Sequence, residues 1–288
     1  MNFAEATVRF ACANETLFGI LAQPEQPEKL SDLGIVIVVG GPQTRVGSHR
    51  QFVLLARALA AAGYPVLRFD VRGMGDSCGA QRNFEALTPD IGAAIDALQS
   101  ASPAVKRIVL WGLCDAASAA LLYCDETRDP RIAGLCLLNP WVRSEATLAK
   151  TQVKHYYGQR LLQKEFWAKL LSGNLNIATS VAELVRKLGQ ATAKTEPHLG
   201  FQERMARSWK NFTGPILLIL SGNDYTAKEF LEYTANAASW RGLLEQAGVT
   251  RFEIAKADHT FSSAEWRGKV AETCMKWLEA TSERRPQA

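Results

Sequence analysis

Aliphatic, β-branched runs alternate with helical patterns along most of this chain, and that alternation restricts its fold more than any other feature. "GIVIVVGG" (34–41) is a continuous apolar run closed by glycines, the pattern of a strand buried on both faces. "SHRQFVLLARALAAAG" (48–63) follows with helical spacing, a Ser48/Gln51 capping box at its start and Gly63 at its end. "YPVLRFDVRG" then reads as strand and loop, "TPDIGAAIDALQSA" as helix, "KRIVLWG" as strand, "CDAASAALLYCDE" as helix and "RIAGLCLLN" as strand. Such a series implies right-handed crossovers and a mostly parallel sheet with helices on both faces. Ahead of it, "TVRFAC" and "TLFGILAQ" form an expected hairpin around Ala13-Asn14-Glu15.

The alternation stops at residue 141. Up to residue 213 only helical patterns occur, among them "EATLAKTQVKHYYGQRLLQKEFWAKLL" and "SVAELVRKLGQATA". Past Gly214-Pro215 it returns with the strand "ILLILSGND", a helix through 227–247, the strand "TRFEIAK" and the helix "AEWRGKVAETCMKWLEA". The expected organisation is one α/β core in two segments, 1–140 and 214–280, interrupted by a helical cap (141–213) and followed by a polar, disordered tail (281–288). Charge supports the division. The insertion holds 12 basic and 5 acidic residues, a net +7, while the remaining 21 basic and 24 acidic residues give −3. A cap of that charge lining an entrance would favour anionic substrates.

The wider composition excludes several classes. A net charge of +4 does not argue for nucleic acid, and no apolar run reaches the roughly 18 residues that span a bilayer. "MNFAEATVRFACANE" lacks the basic start and apolar run of a secretory signal, and the six cysteines are scattered, without C-x-x-C or a His cluster. A cytoplasmic protein without disulfides, metal or cofactor is the expectation. "GGPQTRVGSHR" is rich in glycine but lacks the G-K-[ST] of a phosphate-binding loop.

One junction in the α/β series can carry chemistry. In "RIVLWGLCDAASAALLY" a buried strand runs into a helix, and Cys114 stands at the turn. A tight turn of this kind needs small residues two places to either side, and Gly112 and Ala116 supply them. In this arrangement an acid and then a base follow in chain order. "LLILSGNDYT" offers Asp224 after a later strand, and "FEIAKADHTF" offers His259 after the last. Asp258 beside the histidine is the rival acid, and the position after "LCLLN" is Asn139. One oxyanion donor is expected at the backbone N–H of Asp115. The second belongs to the loop "VVGGPQTRVGSHR", where Pro42 has no N–H to give, so Gln43, or Gly41 in a shifted turn, takes that role. Arg45, His49 and Arg50 share the loop as candidate substrate-binding residues, with a solvated surface the equal alternative. His155 and His198 have no evident partner, and Phe166 and Trp167 read as cap core.

Together, "DVRGMGDS" (70–77), "GLCDA", "SGND" and "ADH" resemble the α/β-hydrolase superfamily over about residues 5 to 280. More narrowly, "VVGGPQTRVGSHRQFVLLAR" with "WGLCDAASAAL" is similar to hydrolase 1 of the exosortase A system, a family associated with exopolysaccharide export and protein sorting. The resemblance implies an α/β-hydrolase fold with a helical cap and an acyl hydrolase of the esterase or thioesterase kind. Helix N-termini and imidazolium ions favour the thiolate of a cysteine, so Cys114 and His259 are expected to form an ion pair. Cys114 would form a thioester with a small-molecule acyl substrate, with Asp224 orienting His259. Dienelactone hydrolases and polyhydroxyalkanoate synthases carry a cysteine at the same turn; the former hydrolyse and the latter transfer. Acyl transfer to a saccharide or carrier therefore stays open. So does a silent, ligand-binding role, since Pro42 and the charge of Asp115 both disturb the oxyanion site.

Overall fold

The structure, a computed structural model, describes residues 3–143 and 199–283. The chain divides into two units, residues 1–142 with 200–288, and residues 143–199, the second lying almost wholly outside the described residues. Most of the expected cap, with His155, Phe166, Trp167, His198 and a net +5 of its +7 charge, falls there.

Eight strands form one sheet in the order β1-β2-β4-β3-β5-β6-β7-β8. The hairpin β1 (Phe3–Cys12) and β2 (Glu15–Pro24) pairs antiparallel with β4 (Val66–Asp70). From there β4, β3 (Leu33–Val38), β5 (Arg107–Leu113), β6 (Ile132–Leu138), β7 (Ile216–Ser221) and β8 (Val249–Ile254) run parallel. β3 and β7 are buried at every residue. Their side chains alternate between two apolar cores, as a sheet covered on both faces requires: Val36, Leu110 and Leu218 enter one, and Ile37, Trp111 and Ile219 the other.

The first core is closed by α2 (Thr88–Ala101), α3 (Asp115–Thr127), α4 (Phe201–Asn211) and α5 (Tyr225–Asn236). The second is closed by α1 (Gln51–Ala61) and α6 (Ala264–Glu283). α4 lies inside the 141–213 segment read as cap, yet it is a helix of the core unit. Its Met205 and Trp209 are fully buried, and Arg207 reaches Asp125 on α3 at 2.6 Å.

Two local expectations are corrected. The helix expected through 227–247 ends at Asn236, because Trp240 turns inward to meet Trp209 and Phe230 at centroid distances of 5.4 and 5.5 Å. Burying an aromatic side chain of that size outweighs a few further helical residues. The Ser48/Gln51 capping box does not form. Gly47 (φ 73°), His49 (φ 53°) and Arg50 (φ 58°) all take left-handed conformations, which displaces Ser48 from the capping position, and α1 starts at Gln51 without a side-chain cap.

"DVRGMGDS" proves to be a brace. Asp70, wholly buried, accepts the Arg45 N–H at 2.6 Å, the Asp76 N–H at 3.0 Å and the Arg45 guanidinium. Arg72 forks onto Asp90 of α2. Ser77 donates to the Asp70 carbonyl at 2.7 Å and accepts the Phe18 N–H at 2.9 Å, tying the loop to β2.

Candidate active site

Four loops meet at the carboxyl edge of the parallel strands, where open α/β sheets place their ligands. β5 ends at Leu113, and Cys114 follows with φ 62° and ψ −125°, a strained conformation for a residue with a Cβ. The turn is as tight as its sequence implies: a Cβ on Gly112 would lie 2.6 Å from the Ala116 backbone. Cys114 donates its N–H to Leu138 O at 2.8 Å, and its carbonyl accepts the Trp141 N–H at 3.2 Å. The thiol is thereby left at the mouth of the turn and half-buried.

Asp224 and His259 come to the same place. Asp224 caps α5, accepting the N–H groups of Thr226 and Ala227 at 3.1 and 3.2 Å, and its Oδ2 lies 2.9 Å from His259 Nδ1. Burial acts to raise the Asp224 pKa, but the His259 hydrogen bond, its charge and the two amides prevail and hold it below the usual carboxylate range. His259 is pushed up to about 10, by the Asp224 hydrogen bond first and a hydrogen bond with the Cys114 thiol second, against burial. The rival Asp258 faces elsewhere. Its carboxylate accepts the N–H groups of Thr260 and Ser262 at 3.2 and 3.0 Å and the Ser262 hydroxyl.

Asn139, considered in the sequence only as an acid that is missing, holds this half together. Its Nδ2 donates to Ser221 Oγ at 2.9 Å and to the His259 carbonyl at 3.3 Å, and its Oδ1 accepts the Ser221 N–H. Ser221 in turn donates to the Asp258 carbonyl at 2.9 Å. The one available sequence signal was a polar residue directly after one apolar strand and another at the end of the next.

The opposite half holds a surprise. The Asp115 carboxylate folds back over the glycine loop, and its Oδ2 accepts the Gly41 N–H at 2.7 Å. The neighbouring N–H groups of Ala116 and of Asp115 itself also favour its charged form. Burial holds Asp115 above the usual carboxylate range, opposed by those three amides and by the charge of His259. The chain thus places its own anion on the amides expected to receive an oxyanion. Gly40 permits this, since a Cβ there would lie 2.0 Å from Asp115 Oδ1. Gly41, expected as an alternative donor, is engaged in this way. Gln43 lines the cavity, and its buried Oε1 has no partner among the described residues.

The remaining candidates separate. Arg45 is paired to Asp70 and Asp76 and lies over the Phe18 ring at 4.9 Å, so its charge is spent inside the fold rather than offered to substrate. His49 and Arg50 are exposed on the strained entry to α1, outside the residues that line the cavity. That cavity is about 470 Å³, with Cys114, His259, Gln43, Trp141, Phe52 and Phe84 among its walls. No cluster among the described residues has the His, Cys, Asp or Glu needed to hold a metal ion, and no described helix is long and apolar enough to cross a membrane.

Comparison with known proteins agrees with this architecture. The Pyrococcus furiosus esterase Pf2001 superposes with a TM-score of 0.60 at 18% identity, over 96% of this chain and 94% of its own. Est1E of Butyrivibrio proteoclasticus, solved with ferulic acid, gives 0.62 at 15% identity over 96% and 99%. XC6422 of Xanthomonas campestris, a serine hydrolase without a lid, gives 0.56 at 13% identity over 95% and 94%. These likenesses show the α/β-hydrolase fold. No curated protein sequence matches the chain. The sequence model of one hydrolase family, described as serine aminopeptidase, S33, matches residues 33–230. That match spans most of the chain and includes the Cys114 turn and Asp224, and by it the chain belongs to the serine aminopeptidase (S33) hydrolase family.

Proposed function

We propose that this protein hydrolyses an ester or thioester bond with Cys114 as its nucleophile. The observation carrying the reading is His259, whose Nδ1 lies 2.9 Å from Asp224 Oδ2 and which lines the same cavity as Cys114. Cys114 Sγ attacks the acyl carbonyl, and the proton from the thiol rests on His259. Collapse of the tetrahedral adduct breaks the bond to the leaving oxygen or sulfur, which takes that proton. Water, deprotonated by His259, then attacks the thioester, releasing the acid and restoring the thiol. Asp224 keeps the Nδ1 proton in place and steadies the imidazolium. The esterase name of the Pyrococcus furiosus neighbour supports ester chemistry. The role in exopolysaccharide export rests on the sequence resemblance alone.

For a carbonyl oxygen to use the Gly41 and Asp115 amides, the Asp115 side chain must swing away. The second donor is then Gly41 or Gln43, as Pro42 has none. Within the described residues nothing favours an anionic acyl group, for Arg45 is consumed and Asp115 is itself negative. Asp115 also supports a second reading, a fold that binds ligands without cutting them.

Intact-protein mass after brief exposure to activated acyl esters of graded length separates the two. Hydrolysis requires an acyl adduct on the wild type that drains with time and is missing from Cys114→Ala. Reduced Cys114 that takes no adduct from any ester would leave the binding reading in place.

A further inference from the structure

The sheet ends in β1 on one side and in β8 on the other, and the two edges differ. β8 pairs in parallel with β7 along its whole length, from Val249 to Ile254. That ladder decides which of its backbone groups are engaged. The carbonyls of Gly248 and Ile254 accept the N–H groups of Ile216 and Gly222 at 2.9 and 3.0 Å, so the even-numbered residues of β8 face β7. Direction alternates along a strand, and Arg251 and Glu253 therefore turn their N–H and C=O groups outward. No described residue pairs with those groups. A row of open donors and acceptors is a template for another strand.

The side chains specify which strand. Arg251 and Glu253 share one face of β8, 3.7 Å apart and 42% and 48% exposed. Phe252, on the other face, is an exposed large apolar side chain. Charges on an edge ordinarily keep copies of a chain apart, because a strand laid on its own copy sets like beside like. Here the outcome depends on register. Antiparallel pairing must oppose outward residues to outward residues, so near the middle of the strand a two-fold axis can pass through Arg251, Phe252 or Glu253. An axis at Arg251 sets arginine against arginine, and one at Glu253 sets glutamate against glutamate. An axis at Phe252 sets each Arg251 opposite the copy's Glu253 in a hydrogen-bonded pair. It also brings the two Phe252 rings together in the closer, non-hydrogen-bonded pair. With the ion pair inside each chain, the charges then alternate in sign around the axis.

The opposite edge offers no such match. Glu5 of β1 already holds the guanidinium groups of Arg57 and Arg68 at 2.6 and 2.9 Å, so the Arg9 of a copy would meet surplus positive charge.

We propose that β8 is a homodimerisation edge, on which two copies of this chain pair β8 against β8, antiparallel, about a two-fold axis at Phe252. The contact is isologous and closes at two copies. A strand this short buries less than a standard interface, so the dimer is weak, with a dissociation constant on the order of 10–100 μM. The inference is independent of whether Cys114 is a nucleophile.

The test is sedimentation velocity of the full, reduced chain at low salt, over roughly 1 to 300 μM, a range that brackets that constant. The wild type should pass from monomer to dimer, and added salt should weaken the shift. Arg251→Glu sets glutamates against glutamates, and Glu253→Arg sets arginines against arginines. Each should raise the dissociation constant at least about tenfold. Mixed in equal amounts, the two variants complement each other and should associate. The double variant Arg251→Glu/Glu253→Arg should recover self-association, which a misfolded chain would not do. A wild type that stays monomeric throughout overturns the proposal. So does a dimer indifferent to either single substitution, or a mixture and a double variant that both stay monomeric.

Discussion

The two halves of the candidate site are built to different degrees of readiness. On the β7–β8 side, Asp224 and His259 are set for use: the carboxylate is capped by two amides, the ring is hydrogen-bonded at 2.9 Å, and Asn139 and Ser221 fix the backbone behind it. On the β3 side, the amides that should seat a carbonyl oxygen hold the Asp115 carboxylate instead. Under the proposed mechanism, nucleophile activation is pre-arranged while the carbonyl seat must be vacated, and the barrier particular to this chain would lie in substrate seating rather than in proton transfer.

Substitutions on the ready half should have the largest effects. Cys114→Ala and His259→Ala are each expected to lower acyl-enzyme formation at least about a thousandfold, measured by adduct mass against time. Equal rates in either variant and the wild type would remove the comparison altogether. Asp224→Asn should cost about a hundredfold or more, and should bring the His259 pKa down from about 10, followed by imidazole NMR. The sign is fixed by the direction of that shift. A raised histidine pKa gives the native state stability that is present in full below about 6.5 and is lost as pH rises through about 10. Asp224→Asn should therefore erase a decline in stability on the alkaline side, read by denaturant titration.

The occupied half should respond in the opposite direction. Asp115→Ala frees the Gly41 N–H and is expected to speed acylation about tenfold, the worth of roughly one charged hydrogen bond. A fall in rate would mean that the carboxylate assists and does not obstruct. Asp115 titrates above the usual carboxylate range and Asp224 below it. The advantage of Asp115→Ala should accordingly shrink as pH falls through the Asp115 pKa, where the wild-type carboxylate loses its charge while Asp224 keeps its own. The smallest catalytic effect is expected from Arg45→Met. KM for esters with an anionic acyl group should change less than about twofold, while stability falls by about 1–3 kcal/mol because buried Asp70 loses its partner. A KM rise confined to anionic esters would return Arg45 to the substrate.

What was legible in the sequence follows the same division. Period and residue type located the strands, the Cys114 turn, Asp224 and His259, since each sits at a strand end that an apolar run announces. Contacts made across the fold left no such trace. Asp115 meets Gly41 across 74 residues, and Asn139 meets His259 across 120. Neither pair is a local pattern. The failed Ser48/Gln51 box shows the reverse case, a valid local signal overruled by the left-handed backbone at Gly47, His49 and Arg50. The early end of α5 is similar, for the inward pull on Trp240 comes from Trp209, distant in the chain.

The turn at residue 114 bears on descent as well as chemistry. Its shape depends on Gly112 and on the positive φ of the backbone, neither of which distinguishes sulfur from oxygen. Serine, the smaller side chain, would fit the same backbone, and one base change converts a cysteine codon into a serine codon. The family to which this chain belongs is named for serine aminopeptidases, in keeping with a turn that fits either side chain. The sulfur is a variation available to mutation at any time, written in the gene and not imposed by the architecture.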